Sequence, residues 1–224
     1  MSEDTATSND SQQIAVFLRG DRDYVQGTQM LARAAEHVSD PAAQIHWATF
    51  HRISARNLAI RPLPAAAGDE AIVGQVEFSG DPVTGWAFVE LDQLAPQLDR
   101  PMGVRIEQDT LDSPLNGSYR FDVDIADLES MLNVLVQAIK SLHQELDPLV
   151  HDVWFTGMRR LALPVAGWPL LHRGRVRIAR RRVGRAGEQY QSLVEVVIED
   201  EGGTEMCRGF VNFAFKSPKV LHVH

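Results

Sequence analysis

The sequence predicts an α+β fold built from two similar halves in tandem. Three observations carry that prediction. Each half opens with a segment of helical hydrophobic period and continues with several segments of strand period. Turn residues stand between those strands at hairpin spacing, at Gly80-Asp81-Pro82, Gly184 to Gly187 and Gly202-Gly203. Near the middle, a stretch carrying Pro96, Pro101, Pro114 and Gly117 separates the halves.

Composition narrows the field. The chain has 224 residues, 44% hydrophobic and 23% charged, which excludes collagen-like, coiled-coil and wholly disordered architectures. Thirty acidic residues against 22 basic ones give a net charge of -8, so nucleic acid is not an expected partner of the whole chain. A single cysteine, Cys207, excludes an intrachain disulfide and any zinc site with two or more thiolates. No apolar run approaches the ~18–20 residues of a bilayer-crossing helix. The opening MSEDTATSNDSQQ is acidic and polar, where a signal peptide is basic and then apolar. These features predict a soluble cytoplasmic protein with no membrane partner. The GxGxxG, P-loop, HExxH and GxSxG signatures are absent, and no metal or other cofactor is expected.

Residues 1–12, rich in Ser, Thr, Asp and Asn, predict a disordered tail. The first half, 13–92, opens with a brief apolar run from Ile14 to Leu18 closed by Gly20. RDYVQGTQMLARAAEHV follows, with Met30, Leu31, Ala34, Ala35 and Val38 at helical spacing and Pro41 as the stop. Gln44 to Ile60 reads as one strand, with Ala71 to Phe78 and Gly85 to Leu91 as two more.

Residues 93–117 predict a linker around a short strand, Val104 to Gln108. In the second half, 118–217, Tyr119, Phe121, Val123 and Ile125 alternate with polar residues as a strand does. A helix over about 127–146 follows, with Asp124 as a plausible N-cap and Pro148 as its end. Strands are then expected over Val153 to Leu163, Gly174 to Val183, Gln189 to Glu199 and Glu205 to Phe215, and a short tail over 218–224.

The second helix is apolar over more than half of its circumference, through Leu128, Met131, Leu132, Leu135, Val136, Ala138, Ile139, Leu142 and Leu146. Only Ser130, Asn133, Gln137, Lys140, Ser141 and Gln144 form a polar stripe. Such a helix needs a sheet curled around it.

That plan resembles a double hotdog, with one sheet-wrapped helix in each half, either as two antiparallel sheets or as one continuous sheet. Tyr24-Val-Gln-Gly-Thr-Gln-Met30 resembles the segment that leads into the first helix of polyketide synthase dehydratase domains. Gly27 and Thr28 match its Pro-Gly-Thr-like turn, and Gln26 stands in the proline slot. Leu132-Asn-Val-Leu-Val-Gln-Ala-Ile139 resembles the second-half helix of those domains, with Asn133 at the aspartate position and Gln137 at the glutamine or histidine four residues on. TGMRRLALP, 156–164, resembles the strand that follows.

The resemblance implies an acyl carrier protein or a coenzyme A (CoA) thioester as partner, and a monomer or homodimer. It implies a site between the two helix starts, with Asp21, Asp23 or Tyr24 facing Asn133 and Gln137, and with Phe17, Gly27 and Thr28 against the substrate. The family's HxxxGxxxxP pattern puts Phe17 in the histidine slot, and no histidine precedes His37. An amide and a phenylalanine cannot supply the acid and base of an ordinary β-elimination. A non-standard dehydration, isomerisation or cyclisation is therefore expected. A non-catalytic holder of an acyl chain or carrier protein is the alternative, and a carboxylate-dependent thioesterase a further one.

Each candidate also has a plainer structural role. Asp21 and Asp23 can cap a helix or form a turn. Asn133 and Gln137 can simply face water. His46 and His51, at odd separation in one expected strand, point to opposite faces. His151-Asp152 is a corner pair that adjacency makes a poor dyad, and His222 and His224 belong to the tail. Nine arginines lie between Arg159 and Arg185. Strand alternation puts Arg173, Arg175 and Arg177 on one face, as a site for a phosphate or an acidic carrier surface, or as a solvated outer face.

Overall fold

A computed structural model describes residues 11–20, 22–63, 72–80, 83–99, 106–113, 116–146, 153–166, 171–186 and 189–215. Two short strands, β1 (Gln12–Ile14) and β2 (Leu18–Arg19), precede the helix α1 (Gly27–Ala35). Four strands follow: β3 (Gln44–Phe50), β4 (Arg56–Pro62), β5 (Ile72–Ser79) and β6 (Thr84–Leu94). After β7 (Gln97–Leu98), the second half comprises β8 (Ile106–Ser113), β9 (Asn116–Ile125), the helix α2 (Leu128–Leu146), β10 (Val153–Pro164), β11 (Leu171–Ala186), β12 (Gln189–Asp200) and β13 (Glu205–Phe215).

Eleven of the strands form one continuous sheet in the order β1-β4-β6-β5-β3-β10-β13-β12-β11-β9-β8, antiparallel throughout. Of the two expected arrangements, the single sheet is the one formed. β2 and β7 make a separate parallel pair. The halves meet where β3 pairs with β10, and Gly157 sits at that seam with φ +156. A Cβ there would lie 2.3 Å from the Ala48 carbonyl oxygen, so a bulkier residue would push the halves apart.

The halves share an element order but not a strand order. In the second, β11, β12 and β13 form a meander that returns β13 to β10. In the first, β5 returns to β3, and β4 lies on the far side of the β5–β6 hairpin.

One cluster of buried residues takes side chains from both helices and from strands of both halves. In β13, Cys207, Gly209, Val211, Phe213, Ala214 and Phe215 are buried, while Arg208 is exposed and Met206, Phe210 and Asn212 are half-buried. α2 is buried along nearly all of its surface, with Leu132, Val134, Ala138, Ile139 and Leu142 fully enclosed.

Several boundaries differ from expectation for local physical reasons. α1 starts only at Gly27, because Gln26 is extended (ψ 138) and the Val25 amide donates to the Ser54 carbonyl at 2.7 Å. It ends before Val38, whose amide turns back to the Ala35 carbonyl at 3.0 Å. The expected strand from Gln44 to Ile60 is two strands separated in the sheet by β5 and β6, so His46 lies on β3 and His51 follows its end. Asp127 rather than Asp124 caps α2, accepting from the Ser130 amide at 2.7 Å and its hydroxyl at 2.6 Å. Asp124 instead pairs with His172 across β9 and β11. β8 falls within the segment expected as a linker and forms the sheet edge beside β9.

Candidate functional site

An open groove, with roughly 530 Å³ of empty space including its solvent mouth, lies where the start of α1 meets α2 and the seam strands. Its floor is aromatic. Phe50 from β3 and Phe155 from β10 lie 5.3 Å apart between ring centres. Gly27 rests on both rings, since a Cβ there would be 2.8 Å from Phe50 and 3.0 Å from Phe155. The absence of a side chain at Gly27 is what lets the first turn of α1 settle on that floor. Ile53 and Trp154 extend the apolar lining, and Val136 and Lys140 contribute from α2.

The first turn of α1 is electropositive. Its N-cap, Gln26, makes no side-chain cap, and no acidic residue follows in the first turn. The leading amides of a helix have no intrahelical acceptor and carry the positive end of its dipole. Thr28, only 2% exposed, lines the same groove, and its hydroxyl has no hydrogen-bond partner among the described residues.

Cations surround this helix end. Arg22 donates to the Tyr24 hydroxyl at 3.0 Å and lies 5.6 Å from the centre of that ring. With the Gln26 amide turned so that both its ends are satisfied, its oxygen accepts from Arg22 at 3.2 and 3.3 Å. Arg52 enters from beyond β3 and pairs with Glu90 at 2.7 Å. Burial first, and then the Arg22 charge, push the Lys140 ammonium down to about 8. Among the described lining residues there is no carboxylate. The groove therefore favours an anion, or a carbonyl oxygen gaining negative charge.

The sequence-derived site residues separate into three groups. Tyr24, Gly27 and Thr28 line the groove together. Asn133 and Gln137 do not line it; α2 presents Val136 and Lys140 there instead. Asn133 does not face water either, being 5% exposed with its side-chain oxygen unpartnered among the described residues, while Gln137 is half-buried. Asp23 is exposed and outside the lining, and Asp21 lies outside the described residues, as do His151, Asp152, His222 and His224. Phe17 is held by its backbone: the Gln29 side chain accepts from its amide and donates to its carbonyl, both at 3.0 Å.

The arginine face on β11 is not a free positive patch. Arg173 pairs with Asp122 at 3.1 Å and Arg177 with Glu199 at 2.6 Å. Arg175 lies 3.0 Å from Asp109, a charge contact without good hydrogen-bond alignment, since its Nε has no satisfied partner. These pairs offset much of the charge of the stripe, with Asp109 shared between Arg175 and Arg120.

Sequence reading did not single out Arg22, Phe50, Arg52, Trp154, Phe155 or Lys140 as site residues. One signal was available for the last. Lysine occurs only at Lys140, Lys216 and Lys219 in a chain with 22 basic residues, so an amine on the polar stripe of α2 was already an exception. Among the described residues no cluster of His, Cys, Asp and Glu is arranged to hold a metal ion, and no helix is long and apolar enough to cross a membrane.

No protein-family model matches the chain, and no curated protein matches it. Solved structures do. The tesB protein of Mycobacterium avium subsp. paratuberculosis is similar over 92% of this chain and 91% of its own, at 12% identity and a TM-score of 0.51. A protein of unknown function with a hot dog fold from Alicyclobacillus acidocaldarius matches over 88% and 89%, at 10% identity and a TM-score of 0.49. The dehydratase domain of the polyketide PpsC from Mycobacterium tuberculosis matches over 86% and 84%, at 15% identity and a TM-score of 0.46. The α+β architecture of this chain is a double hotdog.

Proposed function

We propose that this chain acts on an acyl or polyketide chain delivered as a thioester, and that it is a dehydratase-like protein performing isomerisation, cyclisation or a non-standard dehydration. The observation that carries the reading is the groove at the start of α1. An uncapped helix end, an unpartnered buried hydroxyl at Thr28 and an aromatic floor together suit a thioester carbonyl followed by an acyl chain.

The first-turn amides of α1 would polarise the carbonyl and stabilise the enolate formed when an α-proton leaves. The acyl chain would lie along Phe50 and Phe155. Two lining groups can carry a proton near neutral pH, the Tyr24 phenol as a donor and the Lys140 amine as either partner. Arg22 and Arg52 would attract the phosphate of a pantetheine arm or of CoA.

The lack of an imidazole or carboxylate among the described lining residues favours a second reading, a hotdog that holds an acyl chain or carrier protein without turning it over. Hydrolysis is the least supported outcome, because the carboxylate needed to activate water is not in the described lining.

The test is incubation with 3-hydroxyacyl, 2-enoyl and 3-oxoacyl thioesters, followed by intact-mass measurement and chromatographic separation of isomers. Conversion that falls at least tenfold in Tyr24→Phe or Lys140→Met supports catalysis in the groove. Binding without conversion overturns the catalytic reading in favour of the holder. Absence of both overturns the acyl-thioester reading itself.

A further inference from the structure

Lys140 occupies an unusual position for a lysine. It lines the groove from α2 together with Val136 of the same helix and with Trp154 and Phe155 of β10. Among the described residues no carboxylate pairs with it, and its charged neighbour is Arg22. The other groups of the lining that carry or can carry charge are Arg52 and Tyr24, from the loops before β4 and before α1. Every fixed charge in the described lining is therefore positive. A protonated lysine gains nothing there, and a neutral amine fits the apolar walls.

Taken with the reading of the groove as a thioester site, on which it rests, this geometry has a chemical consequence. We propose that Lys140 is a self-acylation site, whose side-chain amine takes the acyl group from a thioester bound in the same groove. The neutral amine adds to the thioester carbonyl carbon, and the resulting oxyanion faces the first turn of α1. A C–N bond forms, the C–S bond breaks, and the thiol leaves with the proton released from nitrogen. The products are an amide on Lys140 and a free thiol, with no oxidant or reductant involved.

The outcome is self-limiting. The amide removes the Lys140 charge and fixes the acyl chain over the aromatic floor, closing the groove to a second thioester. Selectivity follows from proximity and protonation together. At pH 8 about half of an amine titrating near 8 is neutral, against less than about 1% of an ordinary lysine.

The full chain is incubated with hexanoyl-CoA at pH 8, and peptide mass spectrometry reads the occupancy of Lys140, Lys216 and Lys219, the chain's three lysines. Binding of the unreactive S-hexyl thioether of CoA is measured in parallel by tryptophan fluorescence. The expected result is acylation of Lys140 at least tenfold above either other lysine, saturating with hexanoyl-CoA and suppressed by the thioether. Lys140→Arg should lose the adduct while keeping a cooperative urea-unfolding transition, which separates lost chemistry from lost folding. Thioether binding with Lys140 acylated no faster than the other two overturns the proposal and leaves the groove reading intact. No thioether binding overturns the groove reading, and acylation at Lys140 would then be collisional.

Discussion

The Ser192 hydroxyl and the His143 imidazole meet at 2.8 Å, tying β12 to α2 inside the second half. Their roles are fixed by the other side of the ring. His143 Nδ1 lies 2.8 Å from the Ile139 carbonyl oxygen, which can only accept, so Nδ1 carries the proton and Nε2 accepts from Ser192. Both residues are 1% exposed, and the ring packs against Phe213 at 5.8 Å in a tilted contact and against Phe215 at 5.0 Å edge-on. Neither lines the groove, so this serine–histidine pair is architectural.

Ser192→Ala should therefore lower unfolding stability by about 1–2 kcal/mol, the worth of a buried hydrogen bond whose acceptor stays buried. Urea unfolding measures it. Thioester binding in the groove should be unchanged, and a loss of binding without a loss of stability would contradict the architectural role.

Lys140 gives a pH-dependent prediction. Its folded-state value of about 8 lies below the ordinary 10.5, so the native state holds this proton less tightly than the unfolded chain. Below pH 8 both states are protonated and the native state bears the full cost of burying the charge. Between 8 and 10.5 the native amine is neutral while the unfolded one is still charged, so stability from this group rises with pH. Lys140→Met should exceed the native chain by roughly 1–3 kcal/mol at pH 7, and the gap should narrow towards pH 10.5. Paired urea melts at pH 7 and pH 10 test this, and a constant gap would show that burial of charge is not its source.

Two glycines should behave in opposite ways. At Gly157 a methyl group would press on the Ala48 carbonyl oxygen across the seam, in a backbone conformation that side chains disfavour. Gly157→Ala should cost about 1–3 kcal/mol or more. At Gly184, on an exposed stretch of β11, a Cβ would meet nothing within 4 Å. Gly184→Ala should stay within about 0.5 kcal/mol of the native chain or gain slightly. Thermal or urea unfolding of the two variants decides whether the seam is a rigid joint.

The parts of the fold legible in the sequence were those written in local periodicity. The near-complete burial of α2 followed from its apolar circumference. What periodicity could not carry was strand order: nothing local in Gln44 to Ile60 says that β4 crosses to the far side of the β5–β6 hairpin. The site shows the same division. Gly27 and Thr28 were named through the resemblance of the turn into α1, and both line the groove. Asn133 was named for the site through the resemblance of α2, with a water-facing stripe as its plainer role, and the helical wheel behind that stripe cannot register that α1 packs against α2. Lys140 and Arg22 were missed because their meaning depends on which charges lie opposite, and that is set by residues far apart in the chain.

Thr28 offers the sharpest test of the groove. Its hydroxyl is buried without a partner among the described residues, which is costly for the free protein and useful when a ligand accepts from it or donates to it. Thr28→Val keeps the shape and deletes the polar atom. Unfolding stability should be unchanged or up to about 1 kcal/mol higher, because no existing hydrogen bond is lost. Affinity for an acyl thioester should fall about three- to tenfold, the loss expected of one neutral hydrogen bond. Opposite signs for stability and binding are what a group reserved for a ligand produces. A variant that loses stability while binding equally well would mean that the Thr28 hydroxyl serves the fold alone.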